Sequence, residues 1–477
     1  MMNKYSTAPP QPAAPNAYDQ DRWEHSALRR RLLLSSWEND IINTMSEHLP
    51  SDRMAAWGPP DRSSNPFKAV VGTLSVLYSS PPRIIHPAQE EIQPLLDLFK
   101  KGALWPLMQR VQQLVIGMRE SFVRVGVSKG KLTFRSVPSD LVIAHPDPDD
   151  PGQPIYLAEY RLRVHPIEKK QAWFIDEFDL RGSEATYRIL EIKDGGKIGE
   201  DFTKEILGVD QSGSNYPYLD EENNPILPYV IYHAEVTGEL WDPWTGSELV
   251  WGSLNSALHF SMFSHCLKSA SYPQRYMAGL LPAGVQTKNA GDSSRRWEVV
   301  TDPASVLILQ SDPDSAAGQG MVGQWTAGVD ISGFLSSIQL YEQRVAINGG
   351  IAPGELIRTK SDPRSAAALS ISRAGQRECA RKFAQTAIFS DEQLIRISAL
   401  MATRYLGLKI PTDNYSITYS SLPLSPEERK GLLDDVKGKL ADGLISPVDA
   451  LVELYGYSRE EAIRQLQKIR TERAQFT

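Results

Sequence analysis

Three arginines, Arg373, Arg377 and Arg381, recur at every fourth residue in the stretch SRAGQRECARKFAQ (Ser372–Gln385). On a helix they stand one above another on one face, a column of planar forks suited to phosphates or carboxylates. Glu378 is the carboxylate inside the run. The other patterns with chemical potential are weaker. GQGMVG (Gly318–Gly323) satisfies the spacing of a dinucleotide fingerprint, but no strand is predicted to enter it and no helix to leave it, so it reads as a loop. GVSKGK (Gly126–Lys131) lacks the spacing and the Ser/Thr of a phosphate loop and joins two predicted strands, which makes it a hairpin turn. His259 and His265 are six apart, the wrong interval for a shared helical face, and read as packing residues. Asp149-Asp150 and Asp434-Asp435 fall in loop or exposed-helix contexts and read as solvated. There is no H-E-x-x-H, G-x-S-x-G or cysteine ligand cluster. No catalytic constellation emerges, and neither a metal nor another cofactor is expected.

The elements that would position these residues follow from composition and periodicity. The chain has 477 residues, too many for one ordinary core, so several domains are expected. A formal charge of −7 argues against a surface coated by nucleic acid, because phosphate binding needs a concentrated positive field; any DNA contact must be local. The two cysteines, Cys266 and Cys379, have no redox or metal-ligand spacing and read as core packing in a reducing compartment. No run of the sequence has the character of a signal peptide or the length of a membrane span, and the first 20 residues, rich in Pro and Ala, are expected to be disordered.

Asp21 to His48 patterns as a helical entry. In NPFKAVVGTLSVLYSSPPRII, Asn65 can cap, Pro66 suits a first turn, and Val70, Val71, Leu74 and Leu77 recur at helical spacing until Pro81-Pro82. A helix over Leu104–Met118 leads into the alternating strand SFVRVGV, and IYLAEYRLRV, AWFIDEF and TYRILEI alternate likewise. HPDPDDPGQP and SGSNYPYLDEENNP are turn-rich loops. From Ser247 to about Ala270 a helix is apolar around much of its girth through Leu249, Val250, Leu254, Ala257, Leu258, Phe260, Met262, Phe263, Cys266 and Leu267, which demands neighbours on several sides. Strand-and-turn material follows, then the helical ISGFLSSIQLYEQRVAI, a Gly/Pro break, and a long Ala-rich helix from Ser365 towards Leu406 in which Gly375 is tolerable. YSITYSS is a short strand. Ser425 and Ser446, each followed by Pro, cap the last helices. The class is α+β.

The order of these parts resembles the portal proteins of tailed double-stranded DNA bacteriophages. NPFKAVVGTLSVLYSSPPRI is similar to an early portal helix ending in a Pro-Pro-Arg turn, and LMQRVQQLVIGMRESFVRV to the helix-to-strand passage after it. ILPYVIYHAEVTGELWDPWTGSELVWGSLNSALHFSMFSHCLKSASYPQRYMAGL resembles the strand entering the first stem helix and the start of the clip. ISGFLSSIQLYEQRVAINGGI resembles the second stem helix, and ADGLISPVDALVELYGYSREEAIRQLQKIRTE the crown.

The resemblance implies a phage portal fold: a tail over 1–20, an α+β wing over 21–246, a first stem helix over 247–275, a β clip over 276–330, a second stem helix over 331–349, a tunnel loop with wing-spanning helix over 350–422, and a helical crown over 423–477. It implies a non-enzymatic homo-oligomeric ring, commonly a dodecamer, assembled in the host cytoplasm and resident at one capsid vertex of the virion. Its partners would be the major capsid protein, the terminase packaging motor, a head-tail adaptor and the double-stranded DNA in the channel, without a membrane. Twelve helices spaced about 9 Å apart enclose a bore of roughly 24 Å, close to the width of a duplex. Arg358, Lys360 and Arg364, in the Gly/Pro-flanked break, are the candidates to approach DNA. Arg373, Arg377 and Arg381 either line the tunnel or, the preferred alternative, pair with carboxylates of the adjacent subunit. Arg295, Arg296 and Trp297 are the clip's docking candidates. Competing readings are a nucleic-acid-processing enzyme with an unrecognised site and a different ring or scaffold protein of the virion.

Overall fold

The computed structural model describes residues 17–50, 54, 57–193, 196–271, 274–278, 280–282, 309–311, 321–325, 330–353, 374–420, 426–457 and 459–476. The chain divides into two units. The first comprises Met1–Trp37, Pro66–Val250 and Gln343–Thr477; the second comprises Glu38–Asn65 and Trp251–Glu342.

The first unit is layered around one small sheet, and in the same unit the short strand β1 (Arg83–Ile85) pairs antiparallel with β14 (Ser416–Thr418). Strands β2 (Glu120–Ser128), β3 (Lys131–Pro138) and β9 (Tyr229–His233) form an antiparallel sheet in the order β3-β2-β9. Alternation along β2 sends Val123 and Val125 into a core shared with helices, and Phe122 into a second core on the opposite face. That second core is closed by a five-stranded antiparallel meander: β4 (Val142–Pro146), β5 (Pro154–Val164), β6 (Gln171–Asp179), β7 (Thr186–Ile192) and β8 (Ile198–Asp201), in chain order. On the helical side lie the helix Leu104–Met118 and the long helix Ala374–Leu406.

Local chemistry sets most boundaries. Leu104, Met108, Val111, Val115 and Met118 recur at helical spacing and are fully buried. The helix stops where Arg119 turns to φ 77° with its N–H donating to Val115 O at 2.8 Å. Between β2 and β3, Lys129 (φ 50°) and Gly130 (φ 73°) make the two-residue turn expected of GVSKGK. The predicted helix through Leu77 ends instead at Leu74. The side-chain oxygen of buried Gln112 accepts the Leu77 N–H at 3.0 Å, and a 3-10 turn, Leu77–Ser79, replaces the last turn. The entry segment is two helices, Ala17–Leu34 and Glu38–His48, broken at Ser35 (φ 58°) by bonds from Ser35 to Leu32 O and from Ser36 to Arg31 O. Its start at Ala17 lies inside the segment expected to be disordered.

Two arginines of the entry helix act as tethers. Arg22 donates to Ser139 O and Val142 O and stacks over Trp241, while Arg29 donates to Gly117 O and Thr245 O. Burial lowers the Arg29 guanidinium to about 10. Arg30 pairs with Asp140, whose carboxyl burial raises to about 6.

Three helices, Pro426–Ala441, Pro447–Tyr455 and Arg459–Phe476, end the chain. Ser446 caps the second through a reciprocal box with Asp449, worth about 1 kcal/mol. Ser425 lies outside the described residues. Gly375 does more than avoid harm: a Cβ there would stand 2.9 Å from Gly350 O, so its absence lets two backbones approach.

Candidate assembly surfaces

In the second unit two helical rods run side by side: Trp251–Ser271, the larger part of the helix Ser247–Ser271, and Ile331–Glu342, the first part of the helix Ile331–Asn348. Ser256 Oγ donates to Glu342 Oε1 at 2.9 Å, the His259 ring meets Tyr341 edge-on at 4.9 Å, and Phe263 meets Phe334 at 5.8 Å. As the number rises on one rod it falls on the other, so the rods are antiparallel. His265 stacks on Trp57 at 5.1 Å, and Asp61 is held by Ser261 and Ser264. Both histidines therefore pack, as their spacing implied, and burial lowers the pKa of His259. Between the rods in sequence, β10 (Gln274–Ala278) pairs with β13 (Met321–Trp325), and β11 (Leu280–Pro282) with β12 (Leu309–Ser311), all antiparallel.

The rods do not exhaust their apolar girth on each other. Trp251 is 48% exposed, Leu340 52%, Ile331 39% and Leu335 36%. Phe260, Met262, Phe263 and Leu267 are only half-buried.

In the first unit, the helix Ala374–Leu406 buries Phe383, Ala387, Leu394, Ile395, Ala399 and Ala402 against the sheet β3-β2-β9 and the helical core. Its anchor is polar. Fully buried Asp391 accepts from three tyrosines: Tyr78 at 3.0 Å, Tyr232 at 2.7 Å and Tyr419 at 2.6 Å. Burial raises its carboxyl to about 6 despite the three donated bonds. The outward face of the same helix carries Glu378, Arg381, Lys382, Gln385, Phe389, Glu392 and Arg396, all exposed, with Phe389 at 67%. A cavity of about 320 Å³ opens beside Phe389 and Arg396.

Of the arginine column, Arg377 is half-buried and Arg381 is on the outward face, where it pairs with Glu378 one turn back at 3.1 Å. Arg373 lies outside the described residues, as do the DNA candidates Arg358, Lys360 and Arg364 and the clip candidates Arg295, Arg296 and Trp297. Among the described residues no group of three or more His, Cys, Asp or Glu is placed to hold a metal ion, and no helix is long and apolar enough to cross a membrane.

A second polar anchor escaped the sequence reading. Arg124 of β2 reaches into the core between the two sheets, donating to Asp176 of β6, to Glu159 of β5 at 3.4 Å and to the Tyr187 hydroxyl at 3.2 Å. Arg163 also donates to Asp176, Arg135 pairs with Glu159, and Tyr229 donates to Glu159 at 2.7 Å. Burial works to raise the Asp176 carboxyl, but Arg124 and Arg163 outweigh it and hold it below the usual range. Charged residues at inward positions of apolar strands, Arg124 in SFVRVGV and Asp176 in AWFIDEF, were the available signal.

No family model matches the chain, and no curated protein matches it. Solved structures do resemble it. A chain from the neck of an empty GTA particle computed with C6 symmetry has a TM-score of 0.44 at 11% identity, covering 81% of this chain and 89% of that one. A chain from the virion of a native gene transfer agent (GTA) particle has 0.42 at 12%, covering 87% and 98%. A chain from the neck of a native GTA particle computed with C12 symmetry has 0.42 at 11%, covering 82% and 90%. Likenesses this remote fix neither a fold family nor an activity.

Proposed function

We propose that the protein is the portal of a tailed-phage-like particle: a ring of identical subunits at one capsid vertex, forming the channel through which double-stranded DNA is packaged and ejected. The observation that carries this is the pair of antiparallel rods whose outward apolar residues, Trp251, Ile331, Leu335 and Leu340, remain open in a single copy. Burying such a side chain contributes roughly 1.5–3 kcal/mol, a gain that neighbouring copies would supply. A closed ring requires two different complementary faces on each subunit, and rods open on more than one side meet that need.

In this proposal the segments keep the roles the resemblance implies. Residues 21–246 form the wing, 247–275 and 331–349 the stem, 276–330 the clip, 350–422 the tunnel loop and spanning helix, and 423–477 the crown. Arg358, Lys360 and Arg364 approach the DNA backbone. A net acidic chain with only a few basic side chains aimed at the channel suits a duplex that must slide in both directions, since every phosphate gripped adds affinity and the ring repeats each contact. Arg373, Arg377 and Arg381 pair with carboxylates of the next subunit. Arg295, Arg296 and Trp297 meet the packaging motor and then the head-tail connector; nucleotide hydrolysis belongs to the motor.

The assembly surfaces can be tested separately. Leu340→Glu places a charge on the open rod face, and Arg377→Ala removes one fork from the spanning helix. Both are expected to shift the mass measured by light scattering from a closed oligomer to monomers or irregular species. Oligomers of wild-type mass and regular negative-stain rings for both variants would contradict the interface roles.

A further inference from the structure

The five-stranded meander of the first unit has chemically opposite ends. Because its strands alternate in direction, the β4–β5 and β6–β7 turns lie at one end and the β5–β6 and β7–β8 turns at the other. The first end is acidic. Asp149, Asp150 and Glu184 are exposed in its turns. Asp220 lines a cavity of about 330 Å³ with Gln153, Pro154 and Leu180, which brings exposed Glu221 and Glu222 to the same end. The described cations there include Arg181, engaged by Asp179, Arg396, and exposed Lys204 in the helix Thr203–Leu207.

The opposite end is basic and aliphatic. Lys169, Lys170, Lys193 and Lys197 are exposed around Val164, Ile167 and Ile198, which are 62%, 71% and 63% exposed. Glu168, Glu191 and Glu200 are the described acids beside them, Glu191 against the His165 ring and Glu200 pairing with Lys193, and Asp194 lies outside the described residues. The β5–β6 tip is built rather than loose. His165 Nδ1 accepts the Ile167 and Glu168 N–H groups, and His165 N donates to Lys170 O at 2.7 Å, so Ile167 is presented on a fixed turn. The acidic end has exposed aliphatics of its own: Leu207 (38%) and Val209 (55%) lead into Ser212, which bridges Thr186 at the start of β7.

We propose that the basic, aliphatic end of one copy docks on the acidic end of the next copy. This inference rests on the ring reading and adds a second, electrostatic contact to it. The occupant is another copy of this chain because the two complementary surfaces are ends of one sheet. A surface that fits its own opposite pole makes a heterologous contact, the kind from which a ring closes.

Zero-length carbodiimide cross-linking of the assembled wild-type protein, read by peptide mass spectrometry, tests the contact. The eleven residues of β5 separate the two ends by roughly 33 Å and the seven of β7 by roughly 20 Å within a copy, so a zero-length bond between them must join different copies. The expected products join Lys169, Lys170 or Lys197 to Asp149, Asp150, Glu184, Glu221 or Glu222. The double variant Lys169→Glu/Lys170→Glu is expected to lose ring mass, and mixing it with Asp149→Lys/Asp150→Lys to restore mass. Wild-type rings with no such cross-links, or unimpaired rings from both reversed variants, overturn this contact while leaving the ring intact, as when the tips meet a different protein. A wild-type chain that stays monomeric overturns both.

Discussion

Replacing Arg124 by Met is expected to destabilise the first unit by about 3–5 kcal/mol, because it leaves Asp176 and Glu159, both fully buried, without their shared guanidinium. The interaction joins β2 to β5 and β6, so the loss falls on the packing of one sheet against the other. Arg163 still reaches Asp176 and Arg135 still reaches Glu159, which keeps the effect short of abolishing the fold. Urea unfolding of Arg124→Met, Asp176→Asn and the double variant forms the appropriate cycle. The double variant should cost clearly less than the sum of the singles, because removing both partners leaves fewer uncompensated charges. Additive costs, or a single cost near zero, would show that the two sheets do not depend on this pair.

Asp391→Ala is the second large effect, expected to cost about 3 kcal/mol or more at neutral pH. Three tyrosine hydroxyls lose one acceptor, and a buried donor left unpaired costs about 1–3 kcal/mol. The cost also depends on pH in a defined direction. Burial raises the Asp391 carboxyl to about 6 in the folded chain, from 3.8 for an unburied aspartate. Between those values the native chain holds a proton that the unfolded chain has released, so this group's contribution is full below pH 4 and declines as pH rises through 6. The stability difference between wild type and Asp391→Ala should therefore be larger at pH 4 than at pH 7, by up to about 3 kcal/mol. Glu120, which burial raises to about 7, and Asp140 tilt the total stability the same way, but they remain in both proteins and cancel in the difference. Equal differences at the two pH values, from paired urea titrations, would place Asp391's proton affinity in the ordinary range.

Period and turn chemistry made much of the first unit readable before its structure. Leu104–Met118 follows from five apolar residues at helical spacing, and the Lys129-Gly130 turn from a two-residue gap between alternating strands. The helices over 247–271 and 331–348 follow from apolar residues on several sides. Such patterns say which residues turn inward; they do not say what stands opposite. Asp391 draws in Tyr78, 313 residues away, and Gln112 ends a helix by accepting the Leu77 N–H 35 residues upstream. Neither pairing has a local signature. Gly375 shows the same limit: propensity priced its cost to a helix, while the close approach to Gly350 that explains it is a tertiary fact. For the candidate site, the arginine column resolves into one half-buried and one exposed side chain, because a helix packed on a sheet splits a four-residue repeat between flank and outer face.

In the proposed function, copies of this chain close around an open axis. Class averages of the purified wild-type protein by electron microscopy, viewed end-on, measure that directly. Closed rings are expected, about twelve subunits around a central hole wide enough for a duplex. Monodisperse single copies, or compact oligomers with a filled centre, would contradict it.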